Sequence, residues 1–246
     1  PISTTKNAHP DARYDHSRGA GSAIVVLLRM EPHNSAILLI CMIVGTMLLC
    51  GGCALRWMPV MAGVAMGGIY LMLTAEGNDV ANERLGAWGL FAESDVDLGY
   101  QTTQSLYSIA SGGLTGLGIG NSRQKHLWLP EATNDFIFSI LCEELGFVGA
   151  VICILLFLLL IIQGIVIAWN APDRFGSLLV VGCMAQISFQ FLFNVAVVTN
   201  TIPNTGISLP FFSSGGTSLL MLLGQMGVVM SVCRAGNRKK ADEKAA

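Results

Sequence analysis

Five stretches of this chain contain no Asp, Glu, Lys or Arg: Ser35–Leu55, Trp57–Ala75, Leu145–Trp169, Phe175–Thr199 and Gly206–Cys233. A helix rises 1.5 Å per residue, so about 20 apolar residues cross a hydrocarbon layer of ~30 Å. Each stretch is near or above that length. Only 12% of the 246 residues are charged, about half the share found in a soluble domain. The sequence therefore predicts an all-α polytopic membrane helix bundle with five full spans. A shorter apolar piece, Ala20–Met30, ends at Glu31-Pro32, where proline halts a helix, and predicts a partial helix.

These elements divide the chain into a loop with the partial helix (1–33), a two-span hairpin (34–75) turning at Arg56, a long loop (76–135), a three-span bundle (136–234) and a basic tail (235–246). The chain opens on Pro1 without a signal-peptide pattern, so its start is expected to be truncated, with helices upstream. A formal net charge of −2 gives no reason to expect a nucleic-acid partner. The seven cysteines sit in or beside apolar runs, where cysteine acts as a small hydrophobe, so no disulfide framework follows. Cys50-x-x-Cys53 lacks a second pair or a nearby histidine, which argues against a metal or redox site.

When the spans alternate, Arg56, Arg174 and the tail residues Arg234, Arg238, Lys239, Lys240 and Lys244 fall on one side. The loop over 76–135 falls on the other, with eight acidic residues against Arg84, Arg123 and Lys125. The positive-inside rule places the basic side, with the C-terminus, in the cytoplasm; the basic tail is expected to touch anionic lipid headgroups. The acidic loop and the uncharged segment Asn200–Ser213 are then both outside. Each carries helix breakers: Gly112, Gly113, Gly116, Gly118 and Gly120 in the first, Pro203, Gly206 and Pro210 in the second. Interior glycines cost about 1 kcal/mol each relative to alanine, so the first segment is expected to be a non-helical loop. Irregular backbone near membrane depth must be satisfied by protein or by a wet cavity. Two such segments on one side predict a cavity opening outward.

Several of these residues fall into a recognisable order. Tyr100-Gln101-x-x-Gln104-Ser105 and Ser111-Gly112-Gly113-x-x-Gly116-x-Gly118-x-Gly120-Asn121-Ser122-x-x-Lys125 are followed by Leu129-Pro130-Glu131-Ala132-x-x-Asp135-Phe136 and Glu143-Glu144-Leu145-Gly146. Pro203-x-Thr205-Gly206-x-x-Leu209-Pro210-Phe211-x-Ser213-x-Gly215-Gly216 completes the set. Together they resemble the SEDS family (shape, elongation, division and sporulation proteins: FtsW, RodA, SpoVE) over about residues 20–234. Thr133-Asn134, Trp88-Gly89-Leu90 and Pro32-His33-Asn34 depart from the family's usual patterns, as in a divergent member. The resemblance implies the C-terminal half of a ten-helix fold and a peptidoglycan glycosyltransferase that polymerises lipid II, an undecaprenyl-pyrophosphate-linked substrate, outside the cytoplasmic membrane. It also implies a class B penicillin-binding protein as partner and Asp135 as the essential aspartate.

The chemistry asks for a group that accepts a proton from an attacking sugar hydroxyl, and for positive charge, from a side chain or a divalent cation such as Mg or Mn, beside the leaving pyrophosphate. Asp135 suits the first task as general base, and Lys125, with Arg84 or Arg123, the second. Gln104, Glu131, Glu143, Glu144, Ser213 and Ser214 are candidate substrate contacts in the same motifs. Asp135 also reads as a helix N-cap ahead of Phe136-Ile137-Phe138. Glu143 and Glu144 lie near or inside the hydrocarbon, where an ionisable group marks function or a paired partner. At 100° per residue Glu143 falls about 80° from Asp135 and Glu144 about 180° away. Glu143 is thus expected to support Asp135, or else to pair with a helix outside this chain. Asp95-x-Asp97 reads as ordinary loop acidity. Two other functions stay open: a flippase for a lipid-linked precursor, and a non-catalytic scaffold. Polar residues sit mainly at the outer ends of the last three spans, which favours surface chemistry over transport.

Overall fold

A computed structural model describes residues 34–52, 97–126 and 128–245. The partial helix expected over 20–30, the span expected over 57–75, and Arg84 lie outside these residues. Every regular element described is a helix: α1 Asn34–Cys50, α2 Asp97–Gly112, α3 Ile137–Trp169, α4 Arg174–Val198 and α5 Gly216–Ala245. Three of them, α3, α4 and α5, are long and apolar enough to cross a membrane. α1 has 17 residues, or about 25 Å at the standard rise, and closes on the turn at Gly51-Gly52.

Two boundaries differ from the sequence expectation. The loop over 76–135 contains α2, a helix of 16 residues. Its packing face carries Thr102, Ser105, Ser108 and Gly112, all buried, so the stripe is made of hydroxyls and glycine and gives no hydrophobic period. Small side chains let two helix backbones approach closely: a Cβ at Gly112 would collide with the Cys142 carbonyl of α3. The second difference is the last span, which turns helical at Gly216 rather than Gly206; residues 202–209 carry no regular structure. α5 then continues through the basic tail to Ala245.

α4 is the hub and packs against α1, α2, α3 and α5. Phe157 of α3 stacks on Phe191 of α4 with ring centroids 4.3 Å apart, and Val180, Met184 and Ile187 fill the seam. Leu155, Leu156, Leu159 and Ile162 of α3 point outward, as a lipid-facing surface does. At one end of the bundle, Lys239 donates to the Pro172 carbonyl (3.3 Å) and Lys240 to Asn170 Oδ1 (2.5 Å), tying the tail of α5 to the α3–α4 turn. The irregular segments gather at the opposite end.

Candidate active site

Two clusters form at that end, and the residues singled out in the sequence divide between them. The first grows from a break in α3. Gly146 takes φ 68° and ψ −169°, inside the helix. The carbonyls of Glu143 and Glu144 and the N–H groups of Phe147 and Val148 therefore lose their helical pairing. The loop after α2 supplies a new partner for each of the four groups. Leu117 N–H donates to Glu143 O and Gly118 N–H to Glu144 O, both at 2.9 Å. Phe147 N–H donates to Gly113 O (2.9 Å) and Val148 N–H to Leu114 O (3.2 Å). None of these four groups is left for the hydrocarbon to punish. Such an approach needs glycine: Gly116 has φ 78°, and a Cβ there would collide with the Glu144 carbonyl.

Glu143 holds the rest of this loop. Its side chain is 1% exposed, and its carboxylate accepts from Ser108 Oγ (3.1 Å), Ser122 Oγ (2.5 Å), Arg123 N–H (3.1 Å) and Gln124 N–H (3.4 Å). A buried carboxylate is tolerated when donors surround it. Glu143 does not turn to Asp135, nor does it need a partner from outside the chain. The wheel arithmetic misdirected it because the helix begins only at Ile137 with Phe136 as N-cap, which leaves Asp135 off the wheel. Next to it, Glu144 Oε1 pairs with Lys125 Nζ at 2.7 Å. Lys125, expected beside a pyrophosphate, is thus half-buried in an ion pair.

The second cluster surrounds Asp135. The turn before α3 is closed by Asn134 N–H donating to Glu131 O at 3.0 Å, with Glu131 at φ 52°. Asn134 Nδ2 donates to the Glu131 carboxylate at 2.5 Å. The segment before α5 is stitched to that turn: Ser213 Oγ donates to Asn134 O (2.6 Å), Ser214 N–H to Thr133 O (2.9 Å) and Ser214 Oγ to Asn134 Oδ1 (2.5 Å). Asp135 is half-buried one residue before the N-cap. Its Oδ2 rests against Gly206, 3.5 Å from where a Cβ would stand. Asn204 Nδ2 donates to Gln101 Oε1 of α2 at 3.2 Å; Gln104 lies one turn further along α2, also half-buried.

Sequence reasoning missed Asn194. It is fully buried in α4, and its Nδ2 donates to the Asp135 carbonyl (2.6 Å) and the Ile207 carbonyl (2.8 Å). The signal was the spacing Gln186, Gln190 and Asn194, which sets three amides on one face of a largely apolar span. A cleft of about 80 Å³ opens beside this cluster between α4 and α5, lined by Gln186, Gln190, Ser208, Ser213 and Ser218 on its polar side. Asp135 does not line it. Among the described residues no three His, Cys, Asp or Glu side chains meet.

Membrane-length helices whose broken segments converge on a half-buried carboxylate define a multi-pass membrane protein with a site at the end of its bundle. A family model described as "Cell cycle protein", covering FtsW, RodA and SpoVE, matches residues 16–238, and the chain belongs to that family. It is 50% identical over 142 residues to the stage V sporulation protein E of Bacillus subtilis, covering 58% of this chain and 39% of that protein. It is 37% identical over 232 residues to the "Probable peptidoglycan glycosyltransferase FtsW" of the same organism, covering 88% of this chain and 56% of the relative. The chain thus spans about half the length of the curated relatives it matches. Among solved structures it resembles a chain described under "Structural coordination of polymerization and crosslinking by a peptidoglycan synthase complex", with a TM-score of 0.72 at 26% identity, over 93% of this chain and 65% of that one. It shares its fold with the rod-shape-determining protein RodA of Thermus thermophilus, with a TM-score of 0.58 over 95% of this chain and 59% of that one.

Proposed function

We propose that this chain forms the site-bearing half of a peptidoglycan glycosyltransferase that polymerises lipid II at the outer face of the bacterial cytoplasmic membrane, with Asp135 as general base. The observation that carries the proposal is the seat of Asp135: a carboxylate one residue outside a membrane helix, against the bare face of Gly206. The N-cap position belongs to Phe136, so the aspartate stands off the place where carboxylates cap best.

A sugar hydroxyl attacks the anomeric carbon of a second saccharide; the new C–O bond forms as the bond to the polyprenyl pyrophosphate breaks. Asp135 takes the hydroxyl proton, which raises the oxygen's nucleophilicity as the bond develops. The leaving pyrophosphate carries its own charge, and Lys125 is the candidate to answer it, by exchanging Glu144 for phosphate. Ser213 and Ser214 hold the aspartate's turn through Asn134 and Thr133; they position rather than react. The basic end, with Arg174 and the tail of α5, faces the cytoplasm by the positive-inside rule. A class B penicillin-binding protein that cross-links the product is the partner this reading requires.

A flippase would need polar groups through the full depth. In α4 they reach Gln186, which bonds Gln225 of α5 at 2.9 Å at the middle of that helix, and stop there. The decisive experiment is Asp135→Asn in the full-length protein. Strand synthesis from purified lipid II is expected to fall by at least ~100-fold, the lower end of what a general base contributes, with insertion and partner binding unchanged. Wild-type turnover by the variant would reject the base assignment; absence of strand synthesis by the wild-type protein itself would leave the scaffold reading.

A further inference from the structure

We propose that Asn194 is a positioning residue for the reaction, fixing both walls of the Asp135 seat through one side chain; this rests on Asp135 being the base. The seat has two sides that belong to segments far apart in sequence. One is Asp135 itself, at the end of the turn before α3. The other is Gly206, in the irregular segment before α5, whose bare α-carbon faces Asp135 Oδ2. Asn194 donates to the carbonyl of Asp135 at 2.6 Å and to the carbonyl of Ile207, the residue after Gly206, at 2.8 Å. The separation between base and wall is therefore set by the width of one amide group.

Its setting makes that amide rigid. Asn194 is 0% exposed on α4, the helix that contacts every other described helix. Its Oδ1 is buried without a hydrogen-bond partner. A buried amide that leaves one acceptor unsatisfied is unfavourable for stability alone, and leucine would fill the volume without that cost. The two donor bonds are what the side chain adds. Without them the two segments keep their Ser213 and Ser214 stitches to Asn134 and Thr133, so the turn stays docked while the carboxylate gains freedom to shift. Misplacement by about 1 Å is enough to cost two orders of magnitude in rate.

The test uses the full-length protein in five forms, wild type, Asn194→Leu, Asn194→Ser, Asp135→Asn and the double variant Asn194→Leu with Asp135→Asn, with melting temperature and steady-state polymerisation of lipid II measured on each. Asn194→Leu is expected to lower kcat by about 100-fold and Asn194→Ser, which can hold one carbonyl, by about 10-fold. KM should change by less than twofold in both. Combining Asn194→Leu with Asp135→Asn is expected to lower kcat no further than Asp135→Asn does alone, as for residues that act as a unit. A folded Asn194→Ser with wild-type kcat would overturn the proposal, as would full additivity in the double variant. Failure of both Asn194 variants to fold would assign the residue to stability and overturn it equally. If Asp135→Asn itself polymerises normally, it is the base reading that falls, and positioning falls with it; if only Asp135→Asn is inactive, the base stands and Asn194 does not position it.

Discussion

Adjacent glutamates on α3 have separate tasks. Glu144 meets a cation, Lys125, at 2.7 Å. Among the described residues no cation pairs with Glu143; two hydroxyls and two backbone N–H groups donate to its carboxylate in a nearly closed site. Removing a buried carboxylate that serves several donors leaves those donors unpaired, which costs about 3–5 kcal/mol. Glu143→Leu is expected to destabilise the protein by that amount, and Glu143→Gln, which keeps one acceptor oxygen, by less than half of it. Thermal melts in detergent check the size, and trypsin cleavage after Arg123 or Lys125 checks the place, since this loop should open first. From the sequence, Glu143 and Glu144 stood out because carboxylates near hydrocarbon need partners. Which partners they have was not legible, because Ser108 and Ser122 lie 35 and 21 residues away from Glu143.

At the scale of elements, the break in α3 and the glycine run after α2 are two halves of one joint. The run could be recognised as non-helical from its composition, and Gly146 was visible as part of Glu-Glu-Leu-Gly. Their mutual repair was not, since backbone bonding between segments leaves no trace in side-chain pattern. Gly116 and Gly120 separate the two reasons for glycine. Both have positive φ, 78° and 85°, a strain of about 1–2 kcal/mol for any other residue. A Cβ at Gly116 also strikes the Glu144 carbonyl, whereas at Gly120 it meets nothing within 4 Å. Gly120→Ala is expected to cost about 1 kcal/mol with activity kept. Gly116→Ala should cost more than ~3 kcal/mol, the scale of large steric disruptions, and undock the loop. Hydrogen exchange at the amides of Leu117 and Gly118 reads the difference directly: fast in the first variant would contradict this account.

For the whole molecule, sidedness follows from the ends of the bundle. The turn at Asn170–Pro172 and the basic part of α5 meet at one end, while both irregular segments meet at the other. A cysteine placed at Glu131, an exposed position, is expected to react with a membrane-impermeant maleimide added outside cells, and one placed at Arg238 only after the membrane is opened. The reverse pattern would put the carboxylate on the cytoplasmic side and end the proposal for lipid II. The chain covers 56% of one relative and 39% of another. Expressed alone, the 246 residues are expected to synthesise no glycan above an empty-membrane control.

Sequence alone determined that this chain spans a membrane, and it marked the courses of α3 and α4 and the irregular segments around Gly116 and Gly206. Those are properties of composition along a line: hydrocarbon selects apolar runs, and glycine and proline interrupt them wherever they fall. It also marked Asp135, through motif order rather than through physics. The tertiary structure alone decided that a helix fills the middle of the acidic loop, that Glu143 serves the glycine loop instead of the aspartate, and that Asn194 joins two segments across separations of 59 and 13 residues. The reason is common to all three. A polar group buried among helices gains its partner from wherever the fold delivers one, and no periodicity within its own helix records which segment that will be.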